Sequence, residues 1–253
     1  MYIDTHCHLF NEYYDNIEEI INKCKDNGVK RIIVSGVDMK SNKEVLDLVN
    51  KYDIVYGSIG FHPTELNDFS YDDLDWLEEH INDNKIVAIG EIGLDYHYDD
   101  TDKDKQNDIL RRQLEIAKKY NKPIVFHSRD AIGDTYNILS EYKLKGSIHC
   151  YSGSVEMARE FIKLGYMIGV GGVVTYKNSK VLKEVVKDTD LSYILLETDA
   201  PYLSPEPCRG KRNDSSNLNE IAKLIADLKN TSIIDVSRVT TSNAERLFDF
   251  FSK

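Results

Sequence analysis

No apolar run in the 253 residues approaches the ~20 that a membrane span needs. The N-terminus has no basic stretch followed by an apolar core, so no secretory leader is expected. Cysteine is sparse: Cys7, Cys24, Cys150 and Cys208 form no C-x-x-C pair and no disulfide framework. They read as reduced thiols, small buried hydrophobes of a cytoplasmic protein, and strand alternation is expected to turn Cys7 and Cys150 away from the histidines beside them. Positive charge is short, with 32 Lys and Arg against 43 Asp and Glu, a net of −11. Such a chain is a poor generic binder of polyanions, so a nucleic-acid substrate would require bound metal and a local basic patch. There is no G-x-x-x-x-G-K-[ST] phosphate loop and no low-complexity tract. Gly90-Glu91-Ile92-Gly93 lacks the third glycine of a dinucleotide fingerprint and places a carboxylate at a strand end. Nothing marks an obligate protein partner.

What the sequence does have is alternation. Eight apolar runs, Tyr2–His8, Arg31–Val37, Ile54–Phe61, Lys85–Ile92, Pro123–Ser128, Gly146–Tyr151, Tyr166–Gly172 and Tyr193–Thr198, are each followed by a helical pattern. The predicted helices include Asn16–Asp26, one capped by Ser41 and running to Tyr52, and one opened by Ser70. An acidic loop over Asp95–Asp104 leads to a fourth, and others cover Asp130–Tyr142, Ser154–Leu164, Ser179–Lys187, Leu218–Lys229 and Ile234–Phe250. Near-continuous apolar strands alternating with helices imply a parallel sheet covered on both faces. Eight units without a long linker, in a chain of this length, favour an α/β (β/α)₈ TIM barrel, one domain spanning 1–253.

Metal-type side chains sit where these runs end. In Tyr2-Ile3-Asp4-Thr5-His6-Cys7-His8, strand alternation points His6 and His8 the same way and Cys7 the other. Glu91 closes the fourth run, His127 the fifth, His149 the sixth and Asp199 the eighth. Taken singly, His127 fits a satisfied core residue, Glu91 a barrel salt bridge and Asp199 a turn cap. Six such residues at five strand ends of one rim are hard to explain as packing, because polar groups inside a barrel mouth are costly without partners. Their number and type suit two divalent cations, Zn, Mn, Mg or Co. His6, His8 and Asp199 would hold one, His127 and His149 the other, and Glu91 would bridge. Two such ions, about 3.5–4 Å apart, clamp the oxygens of an in-line displacement and acidify a water between them. Asp199 is the expected general base and, with Glu91, the catalytic carboxylate.

His62 ends the third run and is expected to contact substrate, or to lie just behind the ligands. Arg209, Lys211 and Arg212 cluster beyond the eighth strand, and Arg129 follows His127-Ser128; these suit phosphate. Tyr96, Tyr151 and Tyr202 lie near the rim, where they could stack on an unpaired base.

The same residues carry a family resemblance. Tyr2-Ile3-Asp4-Thr5-His6-Cys7-His8-Leu9, Gly60-Phe61-His62-Pro63, Gly90-Glu91-Ile92-Gly93-Leu94-Asp95-Tyr96, His149-Cys150-Tyr151-Ser152-Gly153 and Glu197-Thr198-Asp199-Ala200-Pro201-Tyr202-Leu203 resemble motifs of the TatD family of metal-dependent deoxyribonucleases. The resemblance implies a barrel of the metallo-dependent hydrolase type, a two-metal site with the ligand sets given above, and DNA hydrolysis, typically 3′-5′ exonucleolytic. Single-stranded or frayed DNA ends are then the expected substrate. The sequence departs from the family at Phe10, where Asp or Asn is common, and at Asp214-Ser215-Ser216-Asn217, where a proline is usual. The same metal chemistry would serve a carboxylic ester or amide, such as an aminoacyl-tRNA ester, and the ligands alone do not separate the two.

Overall fold

Ile32, Ile33 and Val34 are consecutive and all fully buried, so both faces of their strand are covered. That is the mark of a parallel strand with hydrocarbon inside and helices outside. The computed structural model describes residues 1–250. Eight strands, β1 (Tyr2–Cys7), β2 (Val29–Ser35), β3 (Val55–Ile59), β4 (Ile86–Asp95), β5 (Ile124–Arg129), β6 (Gly146–Ile148), β7 (Tyr166–Val170) and β8 (Ile194–Leu196), pair in parallel in chain order. Backbone bonds from Thr198 and Asp199 N–H to the His6 carbonyl, and from His8 N–H to the Ala200 carbonyl, join the two edges at their C-terminal ends. The sheet is thus a nearly closed (β/α)₈ barrel of the TIM type, as the alternation predicts.

Helices α1 (Ile17–Asp26), α2 (Met39–Lys51), α3 (Asp72–His80), α4 (Lys103–Tyr120), α5 (Ile132–Glu141), α6 (Val155–Lys163) and α7 (Lys180–Asp188) follow successive strands. After β8 come α8 (Leu218–Lys229) and α9 (Ile233–Leu247). Inside the barrel, Ile3, Ile33, Val87, Val125, Met167 and Leu195 pack with Ala244, Phe248 and Phe250. The end of α9 therefore plugs the barrel at its N-terminal end and leaves the C-terminal mouth for chemistry.

Several element ends differ from the sequence reading. Asp38, not Ser41, caps α2. Its side chain accepts the Ser41 N–H while Ser41 Oγ accepts the Asp38 N–H, a reciprocal capping box. The helix expected from Asp130 begins at Ile132, because Asp130 takes a left-handed conformation (φ 53°) and accepts from His97. The last helix stops at Leu247, since Phe248 and Phe250 turn inward. Strand β4 runs on to Asp95, through what reads as the start of an acidic loop.

Candidate metal centre

The site is assembled at the C-terminal mouth by the strands themselves. Ser35, the last residue of β2, fixes both imidazoles of the first strand. Its carbonyl accepts the His8 Nδ1–H at 3.0 Å, and its hydroxyl lies 3.0 Å from His6 Nδ1. The two Nε2 atoms are thereby turned into the mouth, 3.2 Å apart. Glu91, 3% exposed, reaches in from β4. Gly90 and Gly93 flank it because β5 passes too close for a side chain: a Cβ on Gly90 would stand 2.6 Å from the Val125 carbonyl oxygen, and one on Gly93 would overlap the His127 carbonyl. These contacts account for the glycine spacing of the motif.

The distances answer whether a cation fits. His6 Nε2 lies 3.4 Å from Glu91 Oε2 and 3.4 Å from Asp199 Oδ1. For His8 Nε2 the same distances are 3.5 and 3.6 Å. Four ligand atoms at ~2.1 Å from one tetrahedral ion stand about 3.4 Å apart. With Nδ1–H given to the Ser35 carbonyl, a neutral His8 presents its Nε2 lone pair toward carboxylate oxygens, an arrangement that asks for positive charge between them.

The other oxygen of Glu91 serves a second group. Oε1 lies 2.8 Å from His149 Nε2 and 3.0 Å from His127 Nδ1, and those two nitrogens are 3.3 Å apart. Ligand atoms around an ion of tetrahedral to octahedral geometry stand about 2.9–3.4 Å apart. His62 joins this side, with Nε2 3.3 Å from Glu91 Oε1 and its ring 4.4 Å from that of His127. All six residues read from strand ends thus meet at one mouth, with Glu91 between two imidazole groups. His6, His149 and Asp199 also form a compact triple, as do His62, Glu91 and His127.

Electrostatics follows from this crowding. Burial alone would raise Glu91, yet His149, His62 and His6, with a bond from His127, hold its carboxyl well below the usual range. Asp199 is pushed down in the same way, burial being outweighed by bonds from His6 and His8. Burial disfavours charge on His149, but Glu91, Glu197 and Asp199 lift it to about 10. His6, fully buried, is pushed down to about 4 by burial and by His149 beside it.

Three groups behind the ligands escaped the sequence reading. Asp95 Oδ2 lies 3.0 Å from His127 Nε2. Ser35 holds the first-strand pair. Glu197, fully buried and raised to about 8 chiefly by burial, accepts the Cys150 N–H. Asp95 and Glu197 lie in the segments that end β4 and follow β8, but only their folded contacts with His127 and Cys150 show what they face. Cys150 lines the mouth instead of turning away, because β6 ends at Ile148 and Cys150 itself has φ 43°, so strand alternation no longer applies. Cys7 does turn away, toward the Ile33 carbonyl.

The mouth is a cavity of about 780 Å³ whose lining includes His62 and Arg129. The exposed Arg129 guanidinium lies 5.8 Å from the Tyr98 ring. Arg209 and Arg212 do not line this cavity. With Lys211 they line a second, more open groove beside it. Of the three tyrosines, Tyr151 is 2% exposed and bonded to the Ser154 carbonyl, so it cannot stack on a base. Tyr96 packs under Lys103. Tyr202 is 50% exposed. Of the two departures, Phe10 is buried beside His8, and Asp214 pairs with Lys23 and caps the turn Ser215–Asn217.

The chain is similar to known metal-dependent hydrolases along nearly its whole length. A family model described as "TatD related DNase" matches residues 3–249. The chain is 43% identical over 252 residues to "Uncharacterized metal-dependent hydrolase YabD" of Bacillus subtilis, covering 98% of this chain and 99% of that protein. It is 34% identical over 254 residues to "Uncharacterized metal-dependent hydrolase YcfH" of Escherichia coli K12, covering 97% and 95%. The crystal structure of YjjV, a TatD homologue from E. coli K12, superposes with a TM-score of 0.94 at 31% identity, covering 98% of each chain.

Proposed function

The chain belongs to the TatD family of metal-dependent hydrolases, and on that premise we propose that it hydrolyses phosphodiester bonds of DNA, removing nucleotides 3′-5′ from single-stranded or frayed ends. The observation that carries this reading is Glu91, whose two oxygens each face a separate imidazole group at ligand spacing. His6, His8 and Asp199 would hold one divalent cation, His127 and His149 a second, and Glu91 both. Zn, Mn, Mg and Co all suit such donors. The cations supply charge neutralisation on phosphoryl oxygens and acidify water.

Everything else falls to the chain. Asp199, beside His6 and His8 and held below the usual carboxylate range by them, would take a proton from water and pass it to the leaving oxygen. Glu91 keeps the two imidazole groups at a fixed separation. His62, against Glu91, orients it and lies at the cavity wall within reach of substrate. Arg129 in the cavity, with Arg209 and Arg212 in the adjoining groove, offers guanidinium groups to phosphates in an otherwise acidic molecule. The whole chain, 1–253, acts as one domain, in the cytoplasm. No helix of the described residues is long and apolar enough to cross a membrane.

The test is protein reconstituted with each metal and given end-labelled single-stranded DNA beside a panel of carboxylic and aminoacyl-tRNA esters. Stepwise loss of 3′ nucleotides is expected. Ester turnover without DNA cleavage would overturn the reading.

A further inference from the structure

We infer that Tyr202, braced by Tyr13, is the sill over which a single nucleic-acid strand passes from the metal mouth into the basic groove. The inference rests on the nuclease reading above. Tyr13, Tyr202 and Leu203 line both the mouth and the groove, so they form the wall the two cavities share. On the mouth side, the Tyr202 ring lies 6.2 Å from the imidazole of His8, at 63°. On the other side are Arg209, Lys211 and Arg212. Glu206 lies 3.9 Å from Arg209, which leaves the groove with a net positive charge on a chain of −11.

The sill is fixed relative to the metal ligands. The Tyr202 N–H donates to the Asp199 carbonyl at 2.9 Å, and the Tyr202 carbonyl accepts from Asn213 Nδ2 at 2.8 Å. The Tyr202 and Tyr13 hydroxyls are 3.0 Å apart, with ring centroids at 5.8 Å. Two bonded tyrosines thus stand partly in water between a site for phosphate chemistry and a cluster of cations. An exposed aromatic ring is a platform for a base, whatever the sequence, and cations beyond it suit the phosphates that follow. A base inside a duplex has both faces covered by its stacked neighbours. The strand must be unpaired where it crosses Tyr202, which makes this residue a determinant of strand preference.

The test uses the full chain loaded with metal and a single-stranded oligonucleotide. The strand carries 2-aminopurine near its 3′ end and phosphorothioate linkages that resist cleavage. Binding should quench the 2-aminopurine as it stacks. Tyr202→Ala should abolish the quench and weaken binding roughly 5- to 100-fold, the equivalent of one lost stacked base. Tyr202→Phe, which keeps the ring, should retain both. With cleavable strands the loss in Tyr202→Ala should fall on KM more than on kcat. If wild type cleaves DNA and Tyr202→Ala matches it in affinity and quench, the sill is wrong and the nuclease reading survives. If wild type neither binds nor cleaves DNA, both fail.

Discussion

Asp95 Oδ2 lies 3.0 Å from Nε2 of His127, and the opposite nitrogen of that ring lies 3.0 Å from Glu91. A carboxylate behind an imidazole fixes its tautomer and strengthens it as a ligand. Asp95 is itself held in place, since its N–H donates to Gln106 Oε1 at 3.0 Å. Asp95→Ala should therefore weaken the cation proposed at His127 and His149 roughly 10- to 100-fold while leaving the one proposed at His6, His8 and Asp199. Titration with zinc by calorimetry would show this, and two unchanged binding steps would remove Asp95 from the role.

Asp199→Asn should keep the fold and lose about 10²–10⁴ in rate, because the amide cannot take the proton. Circular dichroism and turnover of labelled DNA, measured on the same preparation, separate the two effects. Equal turnover by variant and wild type would exclude Asp199 as the base.

Gly90→Ala places a methyl 2.6 Å from the Val125 carbonyl oxygen, at a φ of 155° that favours glycine. Backbone of the neighbouring strand cannot give way cheaply. A loss of roughly 1–3 kcal/mol is expected in denaturant unfolding, together with weaker metal binding because Glu91 is displaced. Wild-type stability would mean the strands have more room than the contact implies.

Arg212→Ala should weaken DNA binding at every sequence and lower the salt slope by about one. Affinity measured across a range of salt concentrations reads this directly. An unchanged slope would take Arg212 out of contact with phosphate.

The fold and the six strand-end residues were legible because the code is local. A buried parallel strand is a short apolar run, and the polar residue that ends it names itself. His6 and His8 show the alternation working inside one strand. What stayed hidden depends on neighbours. Ser35 matters because β1 and β2 align, and Asp95 because β4 outlasts its apolar run: Asp95 pairs with Arg129 across the ladder, two residues beyond the Gly93–His127 pair, and its side chain reaches back to the His127 ring. Cys150 escapes the alternation rule because β6 ends at Ile148, before it. The capping box at Asp38 was missed by three residues, since Ser41 also fits a cap by type. Arg209 and Arg212 read correctly as a cluster, but only the folded loop shows that they face a separate groove.

Anomalous diffraction at the metal edge, from crystals grown with zinc or manganese, tests the two-cation centre most directly. Two peaks about 3.5–4 Å apart, one on each side of Glu91, are predicted. A single peak, or peaks away from Glu91, would contradict it.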